Sequence, residues 1–429
     1  PPADGIMTAM KRVLIVDDEP NIQKAVRAVL TDAGYEAVSC ADPTRVEGLV
    51  ATEPFDLVLL DIWMPALDGH AVLKQVKARR PALPVIIMSG HASVSTGVET
   101  AKSGAEDFLE KPFSSDLLLS KVQGVLEGFE EPSGPGTSRN PFRQFKKDSG
   151  LRQRTLAKSG VLKGKGLHTG ENTGIILSPL PPGSGILFED MPSGMRTRAL
   201  AQAVDSTAYA TILRIGPVQV VCVEHLLSTL HAYGVDNAAV KVNKEIPILD
   251  GSSAPLCAFL DELGVVEQDA PKRAVYLDRA VEYVDPKDPT RVIRAEPCDR
   301  LEIDYFLELP DAFGDQRVQI VLPADPVARA AVYAKEVAPA RTFGFLEELK
   351  ALQAGGLGQG GNLENFLLLD KGRLLNTSFR LEHELARHKI LDIIGDLYLA
   401  GGEVRARITA RKTGHRHNVA LLRALLESP

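Results

Sequence analysis

No stretch of this 429-residue chain approaches the roughly 20 consecutive apolar residues that a membrane-crossing helix requires. Residues 1–10 lack the apolar core of a secretory signal, and regular structure is expected from Lys11, with Met7 or Met10 as the start. Cysteine is scarce: Cys40, Cys222, Cys257 and Cys298 are far apart and form no C-x-x-C pair. That spacing excludes a disulfide framework, suits a reducing compartment and leaves the cysteines as small buried hydrophobes. Cationic excess is missing too. With 49 Lys and Arg against 56 Asp and Glu, the net charge of −7 leaves no surplus to neutralise phosphates. This argues against a nucleic-acid partner, while a small anionic substrate held by a few local cations stays compatible. A soluble cytoplasmic protein is expected.

The remaining composition, 44% hydrophobic and 24% charged, is that of a globular protein, and 429 residues exceed one ordinary core. In the first segment, short apolar runs at 13–16, 57–60, 85–88 and 107–109 alternate with amphipathic stretches at 21–33, 71–80, 94–103 and 116–126. Apolar strands separated by helices imply an α/β fold with a parallel sheet covered on both faces. Residues 129–151, rich in Pro, Gly, Ser and charge, read as a flexible linker. From Arg152 onward, Gly- and Pro-punctuated strands mix with strong helices at 224–233, 256–263, 345–353 and 381–399, an α+β texture. An internal boundary is expected at 269/270, giving subdomains at 152–269 and 270–425.

Ligands of parallel α/β sheets sit beyond the carboxyl ends of the strands. Here Asp17 and Asp18 follow VLIV, Asp61 follows LVLL, Ser89 follows VIIM, and Lys111-Pro112 follows DFLE. Taken singly, Asp and Ser at strand ends are ordinary turn residues. Together, three carboxylates repel unless a hard cation such as Mg²⁺ joins them. Asp61 is then a nucleophile able to form an aspartyl phosphate, with Lys111 and Ser89 placed to meet phosphoryl oxygens. With Trp63-Met64-Pro65 and Asp68-Gly69, these residues resemble the receiver domains of bacterial response regulators over 11–128. The resemblance implies a five-stranded, doubly wound, flavodoxin-like sheet and phosphorylation of Asp61 by a sensor histidine kinase or a small phosphodonor. It also implies a switch formed by Ser89, Phe108 and Lys111. The stretch from Ser89 to Phe113 is most similar to nitrogen-type regulators, whose usual ATPase and DNA-binding segments do not follow here.

The second pattern is RHKILDIIGD. His388 and Asp392 stand at i and i+4 on one helical face, and Asp396 lies a turn further. A catalytic zinc takes three protein ligands and keeps one position for water, so a third ligand must come from elsewhere. VEHLL offers His225 beside Glu224, diverging by about 100° on a helix. An isolated His/Asp pair is more often a surface hydrogen bond, and His168, His231 and His383 call for the same caution. GLHTG at 166–170, EIPILDGS at 245–252, ARTFGF at 340–345 and KTGH ending at His415 accompany the pattern in order. Together they resemble the UDP-3-O-acyl-N-acetylglucosamine deacetylase family of lipid A biosynthesis across 152–425. The resemblance implies two similar subdomains with helices layered against sheets, and zinc held by His225, His388 and Asp392. It further implies Glu224 as general base, His415 as cationic acid oriented by Asp396, Thr342 at the oxyanion, and Lys389 and Phe343 toward the substrate.

The glycines at 356, 358 and 361 satisfy G-x-G-x-x-G, but they follow a helix-like stretch instead of a strand, so a mobile loop is expected. The family's His-Pro turn is replaced by Leu309-Pro310, and LEHEL adds His383, expected to face solvent; His417 is left unassigned. Two readings of the fusion stand open. Phosphorylation regulates hydrolysis, or the receiver serves recruitment or turnover without touching catalysis; a signalling scaffold with a dead enzyme is disfavoured by the complete acid–base set.

Overall fold

A computed structural model describes residues 10–64, 67–81, 83–89, 105, 107–126, 142, 145–309, 313–347, 358–362 and 364–427. The chain divides into two compact units, Pro1–Pro132 and Ser133–Pro429.

In the first unit the described elements are β1 (Arg12–Val16), α1 (Pro20–Asp32), β2 (Glu36–Cys40), α2 (Val46–Thr52), β3 (Leu57–Asp61), α3 (Gly69–Arg79), β4 (Val85–Ser89), β5 (Asp107–Glu110) and α4 (Ser115–Leu126). The strands form one parallel sheet in the order β2-β1-β3-β4-β5. Successive strand residues point to opposite faces. Val13, Ile15, Leu57, Leu59, Ile86 and Met88 therefore pack with Val26 and Leu30 of α1 and Leu118 and Val122 of α4. Leu14, Val16, Val58, Leu60, Val85 and Ile87 pack with Val46 and Val50 of α2 and Val72, Leu73 and Val76 of α3. Both faces are covered, which is why the strands read as unbroken apolar runs. β2 and α2 lie beyond the sequence reading: β2 is an edge strand whose Glu36 and Ser39 interrupt its apolar pattern. The helix expected at 94–103 lies outside the described residues.

The second unit holds α5 (Val223–Tyr233), α6 (Ala254–Leu263), α7 (Pro326–Glu336), α8 (Glu384–Leu397) and α9 (His415–Glu427). One five-stranded sheet runs Arg196–Arg198, Ile186–Asp190, Ala238–Val242, Asn172–Pro179, Gly160–Lys165. A seven-stranded sheet is built around Val404–Arg411, which pairs with Val292–Pro297, Leu301–Leu307 and Val265–Tyr276. Phe188 and Val240 of the first sheet, Ile293 and Ile408 of the second, and Leu226, Ile390 and Leu422 of α5, α8 and α9 belong to one continuous core.

Two boundary expectations need correction. The segment Lys146–Leu156, expected to be largely linker, is a strand paired antiparallel with Val265–Tyr276, and Phe142 just before it is fully buried in the core. Its polar alternation hides it, because only part of one face meets the core. The boundary expected at 269/270 falls inside Val265–Tyr276, where the pairing register shifts on both sides of Pro271. Proline cannot donate a ladder hydrogen bond, so it reads as a break although the strand continues. Phe345, expected to start a helix, ends the short strand Phe343–Phe345, and residues 348–357 lie outside the described set.

Every residue of α5 is buried, and α8 is buried on nearly all sides, so their polar side chains are withdrawn from water and depend on partners inside the protein, which the His231 ring nitrogens lack. The two helices meet at Gly395, where an added Cβ would lie 2.1 Å from the Glu224 carbonyl oxygen. Gly395→Ala should therefore push α8 away from α5 and destabilise the second unit by about 1–3 kcal/mol, the usual cost of overpacking. Urea unfolding checks this; an unchanged midpoint would show that the helices separate at no cost.

Candidate active site and receiver pocket

The meeting of α5 and α8 brings His225, His388 and Asp392 together, all buried, with one ligand atom from each within 4.8 Å of the others. His388 Nδ1 donates to the Ala340 carbonyl at 3.0 Å, which leaves Nε2 with its lone pair, 3.5 Å from Asp392 Oδ1. Burial, reinforced by His388, lowers the His225 pKa to about 3, and burial lowers that of His388 as well. Both imidazoles are thus neutral donors. Burial alone would raise the Asp392 pKa, but Lys389 and His388 outweigh it and hold the carboxyl well below the usual range. Two neutral imidazoles and one carboxylate, converging in a buried pocket, fit a divalent transition metal.

A second group flanks these donors. His415, at the start of α9, has Nδ1 2.9 Å from Asp396 Oδ2 and Nε2 3.9 Å from both Glu224 Oε1 and Asp392 Oδ2. Burial would lower the His415 pKa, yet Asp396, Asp392 and Glu224 raise it to about 10, so the ring is cationic at neutral pH. Burial raises the Glu224 pKa to about 7, with His415 opposing. A base that titrates near neutrality thus faces an acid that stays protonated.

Two residues absent from the sequence reading, Thr211 and Asn418, and a backbone carbonyl complete the arrangement. Thr211 donates its backbone N–H to Glu224 Oε2 at 3.0 Å and its hydroxyl to Asp396 Oδ1 at 2.5 Å. Asn418 donates to Asp396 Oδ2 at 2.9 Å, and the Ala340 carbonyl orients His388. Asn418 stands three residues past His415, a spacing that could have singled it out; a lone Thr and a backbone carbonyl leave no pattern.

Of the residues expected near the substrate, Lys389 Nζ pairs with Asp392 Oδ2 at 2.8 Å and lies 5.2 Å from the Phe343 ring centroid. The Phe343 ring is 6.3 Å from that of His388. The Thr342 backbone is fixed from both sides, donating to Gly251 O and accepting from Leu367 N–H. His383 is partly exposed at the start of α8, and His417 is buried against Asp285 at 2.8 Å. His231 is buried in edge contact with Tyr398. Cys298, expected to be buried, is partly exposed. Gly356 and Pro310 lie outside the described residues; Gly360 N–H donates to Leu167 O at 2.9 Å, so that end of the glycine-rich loop is docked.

In the receiver unit, Lys111 Nζ reaches Asp17 Oδ2 at 2.8 Å and Asp61 Oδ2 at 2.9 Å at the carboxyl end of the sheet. Burial opposes the Lys111 charge, but hydrogen bonds to both carboxylates prevail and raise its pKa; burial raises that of Asp17. Asp17, Glu19 and Asp61 have carboxylate oxygens within 4.8 Å of one another, a group that includes Glu19 in addition to the expected residues. Neighbouring residues leaving a strand diverge, and the chain turns so that Glu19 N–H donates to Asp17 Oδ1 at 2.9 Å. Ser89 is buried at the end of β4. Phe108 lies on β5, its side chain outside the described set.

Comparison with known proteins follows this division. A family model described as UDP-3-O-acyl N-acetylglycosamine deacetylase matches residues 153–427, and one described as response regulator receiver domain matches 13–123. A UDP-3-O-acyl-N-acetylglucosamine deacetylase of Thioalkalivibrio sulfidiphilus is 38% identical over 280 residues, 64% of this chain and 90% of that protein. The enzyme of that name from Myxococcus xanthus is 39% identical over 285 residues, 66% of this chain and 88% of its own. The Neisseria meningitidis enzyme is 39% identical over 281 residues, with 64% and 90% covered.

Metal-depleted protein should regain zinc at this centre, and His388→Ala should weaken that binding by more than the roughly 10–100-fold typical of losing an outer partner. Competitive chelator titration reads the difference; equal affinities would remove His388 from the ligand set.

Proposed function

The chain belongs to the UDP-3-O-acyl N-acetylglycosamine deacetylase family and carries a response-regulator receiver domain ahead of that part. From this premise we propose that it hydrolyses the N-acetyl group of UDP-3-O-acyl-N-acetylglucosamine in the cytoplasm, yielding UDP-3-O-acyl-glucosamine and acetate. This is the committed step of lipid A biosynthesis. The observation that carries the reading is the convergence of a His₂Asp donor set with the Glu224–His415 pair in one buried pocket.

Zinc held by His225, His388 and Asp392 would supply Lewis-acid polarisation and lower the pKa of water to about 7. Glu224, fixed by the Thr211 N–H, takes a proton from the attacking water as the new C–O bond forms. The cationic His415 faces the negative charge that develops on the carbonyl oxygen, with Thr342 beside it. As the C–N bond breaks, His415 delivers its proton to the departing amine. Asp396 keeps Nδ1 protonated and Nε2 turned toward the pocket. Lys389 and Phe343 border the substrate's entry.

Acetate release from UDP-3-O-acyl-N-acetylglucosamine by the purified zinc-loaded chain tests the reading; folded, metal-loaded protein that releases none would overturn it. The pH profile should be bell-shaped. Activity requires Glu224 ionised and His415 protonated, so the acid limb should lie at or below about 7 and the alkaline limb toward about 10. A bound cation favours the ionised carboxylate and disfavours the imidazolium, so it lowers both limbs. Because Asp396 supplies the largest contribution raising His415 and also raises Glu224, Asp396→Asn should move the alkaline limb to lower pH and draw the acid limb in the same direction. An alkaline limb that stays put would detach Asp396 from His415.

For the receiver, we propose that Asp61 accepts a phosphoryl group from a sensor histidine kinase or small phosphodonor and that this changes deacetylation. Mg²⁺ held by Asp17, Asp18 and Asp61 would neutralise the charge that accumulates there. Lys111 already reaches both carboxylates and is placed to follow a phosphoryl oxygen on Asp61. Turnover should change when an acyl-phosphate donor is added, and Asp61→Asn should abolish the response. Equal turnover with Asp61 demonstrably modified would reject regulation of catalysis and favour recruitment.

A further inference from the structure

A second buried cluster in the larger unit is not used by the mechanism above. His168 lies in the turn between the strands Gly160–Lys165 and Asn172–Pro179, Cys222 immediately precedes α5, and Glu245 follows the strand Ala238–Val242. Their exposures are 8%, 5% and 0%, and one ligand atom from each lies within 4.8 Å of the other two. Glu245 is anchored from one side. Its Oε1 accepts from the His168 backbone N–H at 2.8 Å, and its Oε2 from the Thr169 N–H and hydroxyl at 3.1 and 2.8 Å. Gly166 makes room for it, since an added Cβ there would meet Oε2 at 2.1 Å. The Cys222 thiol points at Glu245 Oε1 from 3.6 Å.

One feature has no other account. Both ring nitrogens of His168 are buried without a hydrogen-bond partner, a costly condition for an imidazole. The left-handed backbone of Cys222, φ 62 and ψ 43, is held by hydrogen bonds of its neighbours, Val221 N–H to Lys244 O and Val223 N–H to Thr211 O, which fix where the thiol sits. Burial lowers the His168 pKa, so the ring is a neutral donor.

We propose that His168, Cys222 and Glu245 form a second site for a borderline-soft divalent metal such as zinc, composed of residues distinct from the His225–His388–Asp392 centre. Nitrogen and sulfur donors select against magnesium and calcium, and a thiolate with a carboxylate cancels the charge of a divalent ion, which suits a buried position. On binding, the ion takes the place of the thiol proton, which passes to solvent, and it occupies the lone pair of one His168 nitrogen. The ion would fasten three segments: the 166–170 turn, the start of α5 and the 245–252 stretch. The glycine-rich loop docks on the same turn, through Gln359 N–H to His168 O at 3.2 Å.

Cobalt(II) separates the two centres, because only a site with a thiolate gives a sulfur-to-cobalt charge-transfer band in the near ultraviolet. The full chain, stripped by chelator and titrated with cobalt(II), should take up two equivalents and develop that band. Cys222→Ser and His168→Ala should each lose one equivalent and the band, whereas His225→Ala should lose an equivalent and keep the band. Cys257→Ser and Cys298→Ser should behave as the unmodified chain. In unmodified protein carrying two zinc ions, X-ray absorption should detect sulfur in the zinc coordination shell. A single equivalent without the band, a band that survives Cys222→Ser, or zinc with only nitrogen and oxygen neighbours would overturn the proposal.

Discussion

The closeness of α8 to α5 at Gly395 sets the geometry on which the active site depends. At that crossing a glycine faces the Glu224 carbonyl, so the helices approach until His225 and Glu224 on one stand against His388, Asp392 and Asp396 on the other. Each helix alone presents an unremarkable set of polar residues. Their contact places neutral imidazoles, an ionised carboxylate and a base within a few ångströms, the start of α9 adds the acid His415, and the surrounding apolar core fixes the arrangement.

Burial then turns proximity into chemistry. With little water to screen them, the carboxylates of Asp396, Asp392 and Glu224 keep His415 protonated, while desolvation of Glu224 keeps its proton affinity near neutrality. The receiver pocket applies the same physics in a simpler form. Asp17 and Asp61 cannot sit together in a crevice without a cation, and Lys111 supplies one at 2.8 and 2.9 Å. In both places an acidic cluster is held by countercharge and poised to accept further charge, from a reacting carbonyl in one and from a phosphoryl group in the other.

Legibility in the sequence followed how completely each element is enclosed. β1, β3 and β4 are covered on both faces and announce themselves as apolar runs, whereas β2 at the sheet edge and Lys146–Leu156 carry polar residues on open faces and pass unnoticed. The metal-type donors were readable because i, i+4 spacing and an adjacent Glu-His pair are patterns. Thr211 was not, since it meets Asp396 across 185 positions of chain and acts partly through its backbone N–H. That Glu19 comes close to Asp17 and Asp61 was not legible either, because the turn after β1 brings it there and composition carries no record of that turn.

The central claim is that Glu224 on α5 and His415 at the start of α9 act as one acid–base unit beside the α5–α8 contact. A double-mutant cycle with Glu224→Gln and His415→Gln, read as kcat/KM for acetate release, tests it most directly. Each single change should cost about 10²–10⁴-fold, the usual contribution of a general acid or base. If the two residues work on one transition state, the double variant should be little worse than the poorer single variant. Losses that multiply independently would contradict the account.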